Sequence, residues 1–216
     1  MTFKDWMDVL QAVFVIVASI VAVDGIDAWR KEFRGKRKIE LAEEVLELFY
    51  QAKDIIASER FPAYFASGYS KREANQAETP KQKQTRDLAH VTFQRYHKHN
   101  KIFSRIYALR YRVMAQFGKS STAPFDGMKS VLDDLQTDLS HWVMLSEVDT
   151  NPNHWATPQL LQQHQAKIVE CEKVLWGMGE DDPISPRLEQ IIESVEQICG
   201  KQIAGESEAC HPTKTK

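Results

Sequence analysis

The chain has 216 residues, of which 43% are hydrophobic and 27% are charged, and its formal net charge is −2. This length supports one ordinary domain besides a membrane segment, and the near-neutral balance excludes a chain that is basic throughout, as a dedicated nucleic-acid binder usually is. The three cysteines are an odd number without a CxxC pair, so the sequence predicts neither a disulfide framework nor a zinc knuckle, and it fits a reducing compartment.

The first element is an apolar run from Val9 to Val23 that carries no charge. A helix from Trp6 to Trp29 around this run is long enough to cross a bilayer and has a tryptophan near each interface. We therefore predict one N-terminal transmembrane helix, in a membrane anchor over residues 1–29. A cleaved signal peptide would carry its cations before the run. A buried helix of a soluble core stays open, because the uncharged run is shorter than most spans.

A basic collar follows at residues 30–38, where six lysines and arginines outnumber the single Glu32. By the positive-inside rule this excess predicts a single-pass protein with its N-terminus outside and its C-terminal part in the cytoplasm. Anionic lipid is the membrane partner that such a collar attracts. The residues predicted to face lipid or to lie at the interface are Trp6, Trp29, Arg30, Lys31, Arg34, Lys36, Arg37 and Lys38.

Residues 39–204 predict a cytoplasmic bundle of about five helices, since apolar residues recur three and four apart and no stretch alternates as a strand does. The first of these helices should run from Lys38 to Ser58, with a weak point at Gly35 between it and the membrane helix. Pro62 ends it, and a flexible connector is expected at residues 62–79.

Four further helices are predicted from their start signals and stripes. Serine or threonine followed by proline opens three of them, and Gln82 is placed to complete a capping box. The first of the four should run unbroken to Gly118, and the second has a heptad-like seam typical of coiled coils. The tail at residues 205–216 has little to bury and is expected to be disordered. The four starts are Thr79-Pro80, Pro124, Thr157-Pro158 and Ser185-Pro186.

The helix that begins at Thr79 is unusually basic. Between residues 79 and 119 ten lysines and arginines accompany Asp87 as the sole acid, and six aromatic residues interleave with them. Such alternation is typical of surfaces that bind anionic headgroups or single-stranded nucleic acid. The sequence favours simple packing between the two acidic neighbouring helices over lipid, and lipid over nucleic acid. The candidate surface for an anionic partner is Arg95, Lys98, Lys101 and Arg105.

No catalytic, cofactor-binding or metal-binding residue is predicted. His97 and His99 are two apart and point in different directions on a helix, and the spacing of His164 and Cys171 matches no metal motif. Cys171 and Cys199 fall on or beside apolar seams, where a cysteine is usually a small buried hydrophobe. The sequence therefore predicts a protein that is not an enzyme and has no cofactor.

The stretch WRKEFRGKRKIELAEEVLELFYQAKDII from Trp29, with IYALRYRVMAQFG from Ile106, resembles a group of uncharacterised bacterial proteins that have one N-terminal membrane helix. The resemblance implies a bacterial inner membrane and a helical cytoplasmic part, and it carries no functional residues. We expect a membrane-anchored scaffold or adaptor that holds a protein partner or copies of itself. One alternative is a membrane-perturbing effector of a stress or phage-defence system, with Ala18 and Ser19 on a close-packing face. A further alternative is an enzyme with a site between helices.

Overall fold

The computed structural model describes residues 3–60, 78–148, 155–177 and 181–207, and it describes the side chains of all these except residues 3–12 and 205–207. Within these ranges the chain is all-α, as predicted, with six α-helices and no strand. Most of the predicted connector and residues 208–216 of the predicted tail lie outside the described residues. The helices are α1 Phe3–Glu59, α2 Pro80–Lys98, α3 Asn100–Phe117, α4 Ala123–Glu147, α5 Pro158–Trp176 and α6 Ser185–Ser207, and a 3₁₀ turn covers Lys119–Thr122.

The chain divides into two compact units, residues 1–43 with 200–216 and residues 44–199. Helix α1 is a single helix of 57 residues that enters both units. It passes through Gly35 without a break, because a glycine inside a helix costs only about 1 kcal/mol relative to alanine. The predicted membrane helix and first bundle helix are therefore one element.

The core of residues 44–199 forms from the apolar stripes that the sequence predicts. On α1, Val45, Phe49, Ala52 and Ile56 are buried, and the Phe49 ring packs edge-on against Phe125 of α4 with centroids 5.0 Å apart. Helix α4 packs against α2, α3 and α5. The other helices contribute buried residues at the predicted spacing, namely Phe103, Ile106, Leu109 and Val113 of α3, Met128, Val131 and Leu135 of α4, and Leu188, Ile191 and Val195 of α6.

A second apolar cluster joins α4 and α5. The indole of Trp142 meets the indole of Trp176 edge-on, with ring centroids 4.9 Å apart, beside the buried Cys171 and Leu175. The Trp142 indole N–H donates a hydrogen bond to Glu172 at 3.2 Å, so the polar edge of this large side chain is satisfied. This cluster fixes α5 against the C-terminal half of α4.

The predicted single helix from Thr79 to Gly118 is wrong, because it is broken at His99. The His99 N–H bonds back to the carbonyl of Tyr96 at 3.1 Å, and α3 starts at Asn100. The break contains neither proline nor glycine, the usual local causes of a sharp change of direction. Contacts from α1 accompany it instead, since Glu59 lies 3.5 Å from the His99 ring and 3.7 Å from Arg95.

Capping hydrogen bonds confirm the predicted helix starts at Thr79 and Thr157. Thr79 and Gln82 form the reciprocal capping box, and the Thr157 hydroxyl accepts the Leu160 N–H at 3.3 Å. Gly118 ends α3 with a φ of 97°, a conformation open to glycine and unfavourable for other residues. Helix α6 begins at Ser185 as predicted.

Candidate functional site

The most exposed apolar feature is the part of α1 between Val13 and Val23. Every described side chain in this stretch is exposed, and Phe14 is 75% exposed. A helix that is apolar on all sides belongs in a protein core or in a membrane, because exposing that much apolar surface to water is unfavourable. This stretch therefore requires a cover that the chain itself does not provide within the described residues.

Among the residues with described side chains, no helix carries a long enough apolar stretch for a bilayer crossing. The predicted run begins at Val9, and its first four side chains lie outside the described part, as does that of Trp6. The transmembrane assignment thus stays a prediction that the described residues alone do not support.

The basic collar on α1 and the adjoining Trp29 expose aromatic rings and cations on the helix surface. The Trp29 and Phe33 rings stack with centroids 5.6 Å apart, and the Arg37 guanidinium lies 4.7 Å from the centre of the Phe33 ring. Lys36 pairs with Glu32 at 2.8 Å, and hydrogen bonding from Lys36 lowers the pKa of that carboxyl. Of the remaining predicted interfacial cations, Arg30, Lys31 and Arg34 are exposed and Lys38 is half-buried.

The arginines of the predicted anionic-partner surface lie in intramolecular pairs. Arg105 contacts Glu44 of α1 at 2.7 Å, and Arg112 contacts the same carboxylate at 3.3 Å. Arg95, largely buried, lies 3.7 Å from Glu59. These contacts agree with a basic α2–α3 segment that packs beside acidic neighbours. Exposed pairs of this kind contribute about 0 to 1 kcal/mol each, so they select register more than they add stability.

Other arginines of the basic α2–α3 segment also form ion pairs, with acids of α4 and of the segment before α2. Arg110 pairs with Asp126 at 3.0 Å, and Arg86 bridges Glu147 at 2.5 Å and Glu78 at 3.0 Å. The two lysines of the predicted surface behave differently from its arginines. Lys98 and Lys101 are exposed, and neither is in an ion pair within the described part of the chain.

The residue types that bind metal ions in proteins include histidine, cysteine, aspartate and glutamate. In the ranges with described side chains, no three histidine, cysteine, aspartate or glutamate residues are grouped closely enough to hold a metal ion. Cys171 and Cys199 are buried, as the sequence predicts. Burial raises the pKa of Cys199 to about 11 and also raises that of Cys171. Both thiols are therefore held in the neutral form at physiological pH.

A cavity of about 520 Å³ lies between the α2–α3 segment and α4. One wall is mainly aromatic, and the other has three leucines and three polar residues. The aromatic wall and its polar neighbours are Phe93, Tyr96, His97, Asn100, Phe103 and Tyr107, and the α4 wall is Lys129, Leu132, Asp133, Leu135, Gln136 and Leu139. The break at His99 lies in the middle of the aromatic wall, so α2 and α3 both contribute to the cavity.

The two tyrosines of the cavity wall are held neutral. Burial is the main cause of a raised pKa at Tyr96, and it also raises the pKa of Tyr107, where the charge of Asp133 adds to the effect. The Tyr96 hydroxyl has no hydrogen-bond partner among the described protein groups. A buried hydroxyl without a partner costs about 1 to 3 kcal/mol, so this group gains from any acceptor that reaches it.

Sequence reasoning missed the cavity because it placed these aromatic residues on a surface shared with the cations. The missed signal is their spacing: Phe93, Tyr96, Asn100, Phe103 and Tyr107 are three, four, three and four residues apart. That spacing is a heptad seam, and it predicts a face turned toward a partner helix. The matching seam on α4 was visible in the sequence and was assigned to packing alone.

No protein-family model, no curated protein and no solved structure matches this chain.

Proposed function

We propose that this protein is a membrane-anchored helical scaffold or adaptor at the cytoplasmic face of a bacterial inner membrane. The observation that carries the proposal is the exposed apolar stretch of α1 from Val13 to Val23, with the basic collar at residues 30–38 farther along the same helix. Lipid is the cover that suits an apolar stretch exposed on all sides, because it satisfies every face of the helix at once.

The energetics favour this placement. Each large aliphatic side chain taken out of water contributes about 1.5 to 3 kcal/mol, and the stretch contains seven exposed valines and isoleucines besides Phe14. Each collar cation adds about 1 kcal/mol of attraction to an anionic leaflet. Trp29 and Phe33 form stacked rings at the position where interfacial aromatic residues are found. The anchor and the collar together set both depth and orientation.

The second unit supplies the surface that an adaptor needs. Its arginines lie in pairs with neighbouring acids, while Lys98 and Lys101 are exposed near the junction of α2 and α3. An acidic protein partner, or a second copy of the chain, is the class of partner that such lysines attract. Charged residues at an interface rim act mainly on association rate and on the choice of partner.

The test is membrane extraction of the full-length chain with alkaline carbonate, compared with a version that begins at Arg30. The full-length protein should stay in the washed membranes and the shortened one should not. A full-length variant with Ile16→Arg and Ile20→Arg should also be released, because each arginine costs about 2.5 to 3.5 kcal/mol at the centre of a span. Its matched control, Ile16→Leu with Ile20→Leu, should be retained. Release of the unaltered full-length chain would overturn the anchor.

A membrane-perturbing effector is the second candidate, and the exposed small residues Ala18 and Ser19 favour it. Small residues let helices approach closely within a bilayer. Expression of the full-length chain should then collapse the membrane potential, and the variant with Ala18→Leu and Ser19→Leu should not. Harmless expression of the full-length chain supports the scaffold.

A further inference from the structure

We propose that the cavity between α2, α3 and α4 binds a small, uncharged aromatic molecule. This proposal rests on residues 44–199 alone and does not depend on the membrane anchor. Small-molecule sites are concave, mostly apolar and about 300 to 1,000 Å³ in volume, and this cavity holds about 520 Å³. Its size therefore suits a ligand of one to three fused or linked rings.

The cavity has an apolar floor and a polar rim. Phe103 and Leu135, which line it, are only 6% and 4% exposed. His97, Asn100 and Gln136 also line it and are exposed, so their polar ends lie where a ligand would enter. This arrangement places apolar contact deep in the cavity and hydrogen-bonding groups at its mouth, which fixes the orientation of a bound molecule.

The two walls favour a flat ligand. Four aromatic residues contribute to the α2–α3 wall, and aromatic groups prefer stacked or edge-on contact with other rings. Leu132, Leu135 and Leu139 contribute to the opposite wall and can cover the second face of a ring. A planar aromatic molecule fills such a slot with contact on both faces.

The charged residues at the cavity favour an uncharged ligand. Lys129 and Asp133 lie on its α4 wall, and they pair with each other at 2.6 Å. Hydrogen bonding to Asp133 raises the pKa of Lys129 and keeps it cationic. Because the two charges already offset each other, neither is left to compensate a charge on the ligand.

A protein partner is the less favoured occupant. Among the lining residues, Phe93 is the one large apolar side chain that is mostly exposed, at 52%. Stable protein interfaces bury about 1,200 to 2,000 Å² and need an apolar area beyond the cavity itself. The described surface around this mouth offers Phe93 together with polar groups, which is sufficient for a small molecule.

The test is photolabelling of the full-length protein in mild detergent with benzophenone, an uncharged two-ring ketone, and mapping of the adducts by mass spectrometry. Adducts should concentrate in residues 93–107 and 129–139 and should saturate as benzophenone increases. Adducts in the exposed apolar stretch of α1 should rise without saturation, because there the probe only partitions with detergent. This second population is an internal reference within the same molecules.

Two variants distinguish the cavity from general apolar surface. Leu132→Trp fills the cavity and should lower its labelling about tenfold, the effect of losing about 1.4 kcal/mol of binding. Met144→Trp adds the same side chain on α4 at an exposed position that does not line the cavity, and it should leave the labelling unchanged. If Leu132→Trp fails to fold by circular dichroism, Gln136→Trp at the exposed rim replaces it.

Labelling of residues 93–107 and 129–139 that does not saturate in the unaltered protein overturns the proposal, whatever the variants do. So does equal labelling of these residues in the cavity-filling variant and in the Met144→Trp control. A separate chemical cross-linking experiment without benzophenone gives a further criterion. Cross-links that join two copies of the chain through these residues would assign the cavity to a protein contact and would also overturn the proposal.

Discussion

Arg60 and Asp182 form a bidentate ion pair across 122 positions of the chain, with nitrogen to oxygen distances of 2.5 and 3.1 Å. The same guanidinium donates to the carbonyls of Lys173 and Val174, at 3.1 and 2.9 Å, where α5 ends. Arg60 itself is only 5% exposed and follows α1 directly. One side chain thus joins the end of α1 to the end of α5 and to Asp182 in the segment before α6.

Asp182 in turn organises the start of α6. Its carboxylate accepts the backbone N–H of Ile184 at 2.9 Å and the hydroxyl of Ser185. Burial alone would raise the pKa of Asp182, but the hydrogen bonds from Arg60, Ser185 and Ile184 together lower it to about 2, from an ordinary value of 3.8. The folded state therefore favours the charged carboxylate.

This lowered pKa predicts a specific loss of stability in acid. Because the folded pKa lies below the unfolded one, the contribution of Asp182 is complete above about pH 4 and disappears as the pH falls toward 2. We expect a loss of about 1 to 2 kcal/mol over that window, since the carboxylate is partly open to solvent. Urea unfolding followed by circular dichroism from pH 5 to pH 2 measures it.

The matched control for the acid prediction is a pair of asparagine variants. Asp182→Asn removes this titrating group and should make the unfolding free energy fall less steeply between pH 4 and pH 2, at a lower overall stability. Asp126→Asn removes an exposed acid, paired with Arg110 on the surface, and should keep the wild-type slope. Identical slopes in both variants would show that other acids dominate this window.

Removing Arg60 tests the pair from its other side. Arg60→Leu leaves the Asp182 carboxylate without its cation and two α5 carbonyls without a donor, so we expect a loss of about 2 to 4 kcal/mol. Arg110→Leu breaks an exposed pair and should cost at most about 1 kcal/mol. Chemical denaturation at pH 7 gives both values. Equal costs for the two variants would mean that the buried network adds nothing specific to stability.

The sequence predicted the helices better than it predicted their junctions. The capping box at Thr79 and the buried stripe through Phe49 are local patterns, readable over a few residues. The break at His99 and the Arg60 network are not local, because they depend on which distant residues meet. Glu59 and Asp182 have no sequence feature that sets them apart from the rest of the 30 acidic residues before the fold is known.

The candidate sites also differ in whether local sequence patterns or tertiary contacts define them. The apolar stretch of α1 and its collar were visible as runs of one residue class, and the structure places the described part of that stretch on the surface. The basic segment was visible as a charge excess, but sequence could not tell that Arg105 points to Glu44 while Lys101 does not pair within the described residues. The cavity forms where the seams of two helical segments face each other. The register between these seams depends on the tertiary structure, so the sequence alone does not predict the cavity.

Charge reversal distinguishes the paired arginines from the exposed lysines. Changing both Arg105 and Arg112 to glutamate places two carboxylates beside Glu44, and we expect a loss of about 1 to 2 kcal/mol. Changing both Lys98 and Lys101 to glutamate should alter stability by less than about 0.5 kcal/mol, because exposed substitutions away from such contacts are nearly neutral. Thermal melts of the two double variants make the comparison. A greater loss in the lysine variant would contradict the packing described for this segment.

The buried thiols give the last prediction, which concerns reactivity. A Cys210→Ser variant keeps Cys171 and Cys199, whose pKa values are raised mainly by burial. For Cys199 the rise from 9.0 to about 11 lowers the thiolate fraction near neutral pH about 100-fold, and the reaction with Ellman's reagent should slow by at least that factor relative to denatured protein.

Denaturant should make both thiols of this variant reactive at once, because their pKa values then return to the ordinary value for cysteine. In the folded protein the rate should rise with pH well beyond 9, since only the thiolate reacts. Adding Cys171→Ala identifies which thiol contributes any residual rate. Fast reaction of Cys199 in the folded state at neutral pH would mean that the core around this thiol opens readily, and the burial on which its raised pKa depends would not describe the protein in solution.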